Sequence, residues 1–195
     1  MKKNSKGKII ILSGPSGSGK TTIHNNILSS RRLKGKIVRS VSATTRNRRS
    51  SEKDGREYFF LSPKMFAYKK RAGHFLEWAR VFGCYYGTPA KHVKDLLASG
   101  KSVLLCIDVQ GAKKVMKKRP RAKTVFVRPP SLAELEQRLF KRGTESAKDF
   151  RIRLKTARQE MRQAKNYDCI VVNDNLKQAC REVEDFIARQ IDSLV

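Results

Sequence analysis

Acidic residues are scarce in this chain of 195 residues, which carries 17 Asp and Glu against 44 Lys and Arg and a formal net charge of +27. No Asp or Glu occurs before Glu52. A balance this basic predicts an anionic partner, for which nucleic acid, a membrane surface and a nucleotide are the three candidates. Composition alone does not choose among them.

Long apolar runs and patterned cysteines are also missing. The apolar stretch Ile9–Leu12 is too short for a signal-peptide core or a membrane span. Cys84, Cys106, Cys169 and Cys180 show no C-x-x-C spacing and no neighbouring His, which argues against a zinc site or a disulfide framework. We therefore expect a soluble, cytoplasmic protein with reduced, mostly buried thiols and no membrane association.

The apolar content of 39% is that of a globular protein, and the length fits one domain. Short runs rich in β-branched residues indicate strands buried on both faces. They cover residues 9–13, 101–108, 124–127 and 169–173. Start and stop signals indicate helices between and after these strands. They cover residues 89–99, 131–143, 146–165 and 176–194. This alternation predicts an α/β fold with a parallel sheet.

Residues 37–87 break the alternation. Three closely spaced strand patterns, at 37–43, 58–61 and 75–79, are joined by an Arg-rich loop and one short helix. We expect an insertion at about 37–88 in a core formed by about 1–36 and 89–195. No linker divides the chain, so residues 1–195 are predicted to form a single domain.

A glycine-rich motif follows the first predicted strand and precedes a helix, as a phosphate-binding loop requires. It has the pattern G-x-x-x-x-G-K-[ST] and comprises Gly14, Pro15, Ser16, Gly17, Ser18, Gly19, Lys20 and Thr21. The glycines let backbone N–H groups face a phosphate, which the helix dipole also attracts. Lys20 is expected to reach the β- and γ-phosphates, and the Thr21 hydroxyl to ligate Mg²⁺. The motif predicts a nucleoside triphosphate and leaves ATPase, GTPase and kinase open.

The predicted insertion carries the groups that a second, phosphorylated substrate needs. Hydroxyls and guanidinium groups cluster at residues 40–49, with Tyr58, Tyr85 and Tyr86 further on. Arginine forks fit phosphate oxygens, and phenols add neutral donors, although core packing is the alternative role of the tyrosines. A carboxylate such as Glu77 can accept both N1–H and N2–H₂ of guanine, whereas adenine presents an acceptor there. The alternative for Glu77 is an exposed position on a strand.

The order of these motifs resembles the guanylate kinase family over nearly the whole chain. Besides the phosphate loop, the resemblance rests on S-V-S-A-T-T-R at 40–46, E-x-D-G-x-x-Y at 52–58, F-L-E-W at 75–78, Y-Y-G-T at 85–88, I-D-V-Q-G at 107–111, R-G-T-E at 142–145 and I-V-V-N-D at 170–174. It implies a P-loop kinase-type parallel sheet flanked by helices, an inserted small β-rich GMP-binding subdomain and a helical lid at about 142–158. It also implies ATP as phosphoryl donor, GMP as acceptor and Mg²⁺ as cofactor.

The resemblance assigns roles to individual residues. Arg46, Arg49, Tyr58 and Tyr86 would hold the GMP phosphate, while Ser42, Glu77 and Thr88 would contact guanine. Asp108 would lie near the base or the metal network. Arg138, Arg142 and Arg153 would meet the transferring phosphoryl group, together with Lys20 and Arg46.

The chain departs from the family pattern at three places. Cys84 stands where the family often has Asn, Cys106 stands where an acidic residue is usual, and Asn47-Arg48 replaces the usual residue-Pro pair. The loss of an acid beside Asp108 bears on how metal and base are coordinated.

Two other classes of protein stay open at this point. Noncatalytic modules with this fold bind phosphopeptides, but they typically lose phosphate-loop residues that this chain retains. A nucleic-acid-binding protein would explain the charge and the basic run at 113–121. That run lacks interleaved aromatics, which favours a solvated helix face, and weak, salt-sensitive RNA binding beside kinase activity is compatible with it. The sequence makes no prediction of oligomeric state.

Overall fold

The computed structural model describes residues 7–141 and 147–192. This part of the chain contains nine strands in two sheets, together with seven α-helices. The strands are β1 Ile9–Ser13, β2 Ile37–Arg39, β3 Ser42–Thr44, β4 Tyr58–Phe60, β5 Phe75–Val81, β6 Cys84–Pro89, β7 Ser102–Cys106, β8 Lys123–Arg128 and β9 Cys169–Val172. The helices are α1 Lys20–Ser29, α2 Pro63–Arg71, α3 Ala90–Ala98, α4 Val109–Lys118, α5 Leu132–Phe140, α6 Ala147–Met161 and α7 Leu176–Asp192, with a 3₁₀ turn at Ala164–Asn166.

The first sheet is parallel throughout and has the order β2-β7-β1-β8-β9. Its central strand β1 is buried on both faces, as the apolar run predicted. Ser13, the last residue of β1, pairs with Phe126, and Leu12 pairs with Cys106. Because parallel strands end at the same edge of a sheet, the glycine loop after β1 and Asp108 after β7 lie at one edge. The predicted α/β fold with a parallel sheet flanked by helices is confirmed.

Apolar side chains from the helices cover both faces of this sheet. On one face, Ile23 and Ile27 of α1 and Val183 and Ile187 of α7 are buried against it. On the other, Val93 of α3, Val115 of α4 and Tyr167 pack over β1, β7 and β8. The two clusters fix the sheet, so the loop after β1 has a rigid support.

The second sheet has the order β4-β3-β6-β5 and occupies residues 42–89. It has a small core of its own, in which the rings of Phe66 and Phe75 stack with centroids 4.6 Å apart. A β-rich unit is therefore inserted between β2 and α3, in agreement with the predicted fold class.

The prediction of one strand over 37–43 is wrong. Residues 37–39 form β2 at the edge of the central sheet, paired with β7, whereas β3 begins at Ser42 and pairs with β4 and β6. Between β2 and β3, the Ser40 backbone N–H donates to the Leu104 carbonyl of β7. The apolar pattern runs through both strands because each is partly buried, β2 in the central sheet and β3 in the second sheet. The strands of the insertion thus begin at Ser42 rather than at 37.

Helix α4 fastens the second sheet to the central sheet. Lys114 and Lys118 donate to the backbone carbonyls of Trp78 and Leu76 on β5, at 2.5 and 2.8 Å. The Trp78 ring also lies between two ammonium groups, with its centroid 3.8 Å from Lys70 Nζ and 4.2 Å from Lys114 Nζ. Since β5 is an edge strand, these lysines satisfy carbonyls that no neighbouring strand reaches.

Two local predictions need adjustment. Pro89 ends β6, and α3 begins one residue later at Ala90, so the proline precedes the first helical residue. The four cysteines are free, as expected, but each is half-buried rather than buried. Within residues 7–141 and 147–192, no helix is both long and apolar enough to cross a membrane.

Candidate active site

The glycine loop joins β1 to α1 in the conformation that its glycines permit. Gly14, Gly17 and Gly19 have φ angles of 144°, 86° and 91°, which favour residues without a Cβ. A Cβ on Gly19 would also lie 2.1 Å from the side-chain nitrogen of Asn173. The backbone at these positions therefore requires glycine for both conformation and space.

Lys20 and Thr21 occupy the first turn of α1, beside this loop. The Lys20 ammonium donates to the carbonyls of Gly14 and Pro15, at 2.8 and 2.7 Å, and so lies across the loop. Thr21 is exposed, whereas Ser18 is fully buried with no hydrogen-bond partner for its hydroxyl. The α1 N-terminus, its lysine and an accessible hydroxyl thus converge at one point, as a triphosphate site requires.

Arg138 on α5 is connected to the loop through Asn173. The Asn173 side chain donates to the Ser18 carbonyl at 2.8 Å, and Arg138 donates to the Asn173 carbonyl at 3.0 Å. Glu134 holds the guanidinium from the other side at 2.8 Å. Ser131 caps α5 and accepts from the Glu134 N–H at 3.0 Å, whereas the Glu134 carboxylate turns to Arg138 instead of completing a capping box.

Asp108 caps α4 at the same edge of the sheet. Its carboxylate accepts from the N–H groups of Gln110 and Gly111, at 2.8 and 3.1 Å. This gives Asp108 a structural role beside the one that the resemblance implied. Glu160 on α6 interacts with both Asp108 and Lys20, and burial raises the pKa of its carboxyl to about 7, with Lys20 opposing and Asp108 adding to the rise.

Glu77 lies on β5 and is only 3% exposed, so the alternative of an exposed strand position is wrong. Its carboxylate accepts from the Thr88 hydroxyl at 2.7 Å, and the two residues are register partners on β5 and β6. Burial raises the pKa of Glu77 to about 7; the Thr88 bond and Lys114 oppose the rise, and Asp108 adds to it. Two of the residues predicted to contact guanine therefore form one buried polar pair.

Gly111 gives this pair room. A Cβ at Gly111 would lie 2.6 Å from the second Glu77 oxygen, a distance that real Cβ atoms do not show. Helix α4 therefore approaches Glu77 closely only because its third residue is glycine. The motif at 107–111 thus supplies both the cap of α4 and the space for the carboxylate.

Arg46, Arg49 and Tyr58, which are predicted to bind the GMP phosphate, lie on or near β3 and β4. These strands lie toward the opposite edge of the second sheet from β5, which carries Glu77. Arg46 follows β3 and forms an ion pair with Glu52 at 2.7 Å, while the Arg49 backbone N–H donates to the same carboxylate at 2.9 Å. The Arg46 guanidinium carbon lies 5.5 Å from the ring centroid of Tyr58, whose own ring is 5.9 Å from that of Tyr86. Burial raises the pKa of Tyr58 to about 12, which keeps its hydroxyl a donor.

The remaining predicted site residues are Ser42, Arg142 and Arg153, which lie in three different parts of the chain. Ser42 is half-buried on β3 and pairs with Tyr58 in the register of the sheet. Arg153 on α6 stacks on Phe82 in the β5–β6 turn, with its guanidinium carbon 4.3 Å from the ring centroid. Arg142 lies outside the described residues, as does the start of the predicted lid at 142–146.

Three residues at the site were missed as contributors. Glu52 binds the Arg46 side chain and the Arg49 backbone, Asn173 ties the glycine loop to Arg138, and Glu160 lies beside Lys20 and Asp108. The scarcity of acids was the available signal for the two glutamates. The motifs at 52–58 and 170–174 contain Glu52 and Asn173 but did not indicate these contacts.

A phosphate loop on a parallel sheet, facing a second sheet with buried polar groups, defines the class of P-loop nucleotide-binding enzymes. Within that class, the family model described as guanylate kinase matches residues 6–190. The chain belongs to the guanylate kinase family.

Individual relatives agree with this assignment. The chain is 44% identical to the guanylate kinase of Thermotoga maritima, over 93% of this chain and 86% of that protein. It is 46% identical to that of Rubrobacter xylanophilus, over 94% and 95%. The crystal structure of guanylate kinase from Anaplasma phagocytophilum superposes with a TM-score of 0.76 at 32% identity, covering 96% of this chain and 87% of that one.

The raised pKa of Glu77 predicts a pH dependence of GMP affinity. Only the ionised carboxylate can accept both N–H groups of guanine. For a pKa near 7, the ionised fraction of Glu77 falls from about nine-tenths at pH 8 to about one-tenth at pH 6. The Kd for GMP should therefore rise about tenfold between pH 8 and pH 6. Titration calorimetry measures it, and the Glu77→Gln variant is the control, because it lacks the Glu77 titration and retains those of the GMP phosphate and of Glu160. Equal pH profiles for the two proteins would contradict the assignment.

Gly111→Ala is expected to displace the Glu77 carboxylate. Displacing the carboxylate costs stability, whereas alanine favours a helix by about 1 kcal/mol over glycine. Because the two effects oppose each other, the free energy of unfolding should change little. The kcat/KM for GMP should fall at least about tenfold, the equivalent of 1.4 kcal/mol in the transition state. The Kd for ATP serves as the internal control and should stay constant. A variant with unimpaired GMP kinetics would show that the carboxylate is not held by this contact.

Arg46→Ala and Arg49→Ala should each raise the KM for GMP and leave ATP affinity nearly constant. The Arg46 change also leaves Glu52 without its ion-pair partner, whereas the Arg49 side chain is exposed. We therefore expect a lower melting temperature for Arg46→Ala alone. Steady-state kinetics and thermal denaturation of both variants measure these effects. Loss of ATP affinity with GMP affinity intact would show that these arginines bind the ATP phosphates and not the GMP phosphate.

Proposed function

We propose that this chain transfers the γ-phosphate of ATP to GMP, giving ADP and GDP, with ATP at the glycine loop and GMP at the second sheet. The observation that carries this proposal is the buried Glu77 carboxyl paired with Thr88. A buried acid that accepts one hydroxyl has further acceptor capacity, which the adjacent N1–H and N2–H₂ of guanine match. Burying such a group without a partner would cost stability, so its presence favours a ligand that supplies donors.

The proposed mechanism needs no side-chain nucleophile. An oxygen of the GMP phosphate attacks the γ-phosphorus of ATP in line, the bond to the β–γ bridging oxygen breaks, and ADP leaves. The protein contributes positioning and positive charge, which is most of what phosphoryl transfer requires. Lys20 and the α1 N-terminus serve the donor phosphates, Arg46 and Arg49 serve the acceptor phosphate, and Arg138 approaches the loop through Asn173.

Mg²⁺ fits the donors at this edge of the sheet. No three His, Cys, Asp or Glu side chains cluster as a metal site in the described part of the chain. Mg²⁺ bound with ATP normally keeps several waters and takes few protein ligands, so the exposed Thr21 hydroxyl suffices. When bound, the ion would neutralise charge on the transferring phosphate. The Asp108 and Glu160 carboxylates are the available acceptors for its water shell.

Exclusion of water from this site is assigned to the second sheet and to α6. The contact between Arg153 of α6 and Phe82 of the β5–β6 turn joins these two elements on the far side of the site. Closure around both substrates would protect ATP from hydrolysis. We assign the GMP-binding subdomain to residues 42–89, and Arg142 and Arg153 to the lid.

Glu77→Gln tests the proposed function at the base. Glutamine keeps the size but turns one acceptor into an NH₂ donor that faces a donor of guanine. Removing a partner from a buried polar group costs roughly 1–3 kcal/mol, and more where charge is involved. The kcat/KM for GMP should drop at least about tenfold, since 1.4 kcal/mol is a factor of ten. AMP, used as the second acceptor, should lose nothing comparable. An unchanged GMP/AMP ratio would mean that Glu77 does not read the base.

A further inference from the structure

Helix α6 has two faces of different character. Its inner face carries Arg153 together with the buried Ala157 and the half-buried Glu160, which lie toward the catalytic edge. At 100° per residue, the opposite face carries Arg151, Lys155 and Arg158, and Arg162, directly after the last helical residue, continues the row to four cations. All four are exposed and, with Leu154 and Gln159, line a surface depression of about 460 Å³.

Folding does not account for this cluster. Arg151 and Lys155, and again Arg158 and Arg162, are four residues apart, where like charges destabilise a helix. In the part of the chain that the structure describes, no carboxylate forms an ion pair with any of the four. The arrangement therefore costs stability unless an anion lies on it.

Catalysis does not account for it either. The inner face of α6 holds Arg153, the residue proposed to meet the transferring phosphoryl group, and the outer face points the other way. One bound nucleotide also cannot neutralise four cations spread over about 17 Å, along α6 and the residue that follows it. A longer anion with regularly spaced charges fits this length.

We propose that the outer face of α6 binds the phosphodiester backbone of single-stranded nucleic acid without sequence preference. The face offers cations at intervals along the helix and no aromatic side chain on which a base could stack, so its contacts are with phosphates. Lys165, exposed in the following 3₁₀ turn, extends the row. The net charge of +27 adds long-range attraction for such a polyanion.

An anionic membrane surface is the weaker partner for this face. Amphipathic helices bind membranes by burying a wide apolar face that carries aromatic or leucine side chains. The depression on α6 has one apolar residue, Leu154, and it is already half-buried. The depression therefore offers no apolar surface that could insert into a bilayer, whereas the phosphates of a nucleic acid need only its positive charges.

The test uses a fluorescently labelled single-stranded RNA of about 20 nucleotides, titrated with the full chain in a fluorescence anisotropy assay at several salt concentrations. The variant R151Q/K155Q/R158Q/R162Q removes the four charges and keeps good helix formers. RNA affinity at low salt should fall at least tenfold. The slope of log Kobs against log salt should lose about 3 units, since each phosphate contact contributes about 0.7 for a single strand.

A matched control removes the same four charges elsewhere. Arg31, Arg71, Lys94 and Arg121 are exposed, lie on α2, on α3 and in two separate turns, and form no ion pair among the described residues, so R31Q/R71Q/K94Q/R121Q is the control. It should retain most of the salt slope. Equal losses in both variants would assign RNA binding to net charge and overturn the proposed surface, as would a wild-type chain that does not bind.

Three further measurements separate the alternatives. GMP kinase activity of the α6 variant should be unchanged, which shows that it is folded and that the surface is independent of the proposed active site. If that variant does not fold, R158Q/R162Q should lose about half of the salt slope that four charges would; an unchanged slope overturns the proposal. DNA of the same sequence should bind as well as RNA, and vesicles of about 30% anionic lipid should bind more weakly; the reverse order for vesicles would assign the face to membranes.

Discussion

The close approach of helix α4 to the Glu77 carboxyl is the contact on which the geometry of the site depends. Glycine at position 111 admits this approach, and the Asp108 cap fixes the first turn of the helix in place. Lys114 and Lys118 of the same helix bind the edge of β5. One helix therefore fixes the position of Glu77, the proposed base-reading group, relative to the strand ends of the central sheet, where we propose that the ATP phosphates bind. The same packing buries Glu77, and this burial raises the pKa of its carboxyl to about 7; the nearby Asp108 carboxylate adds to the rise.

Positive charge at the catalytic edge is organised by a few carboxylates and amides. Glu52 orients Arg46 and the backbone of Arg49, while Glu134 and Asn173 hold Arg138 against the loop. In a chain with so few acids, these pairs restrict flexible guanidinium groups before substrate arrives. Preorganisation of this kind lowers the entropy lost on binding, and in the proposed reaction it would place cations where negative charge develops.

The part of the site that is local in sequence could be predicted from it. The glycine loop, the strand before it and the helix after it form one continuous segment, and its residues dictate its conformation. Glu77 was predicted from the donor pattern of guanine and Thr88 from the family resemblance, but their direct bond depends on the pairing of β5 with β6. The roles of Asn173 and Glu160 were out of reach, because each depends on elements far apart in sequence. The division of 37–43 into two strands was missed for the same reason, since an apolar pattern does not name the partner of a strand.

The most direct test of the central claim is a coupled assay of ADP formation by the native chain with Mg²⁺-ATP and, in parallel, GMP, AMP, UMP or no acceptor. We expect rapid ADP formation with GMP, at least a hundredfold slower formation with AMP and UMP, and almost none without acceptor, in keeping with the roughly 10⁴-fold or greater discrimination of sites that hydrogen-bond a polar group. Comparable rates with GMP and AMP would contradict base recognition by Glu77. Equal rates with and without acceptor would show an ATPase instead of a kinase.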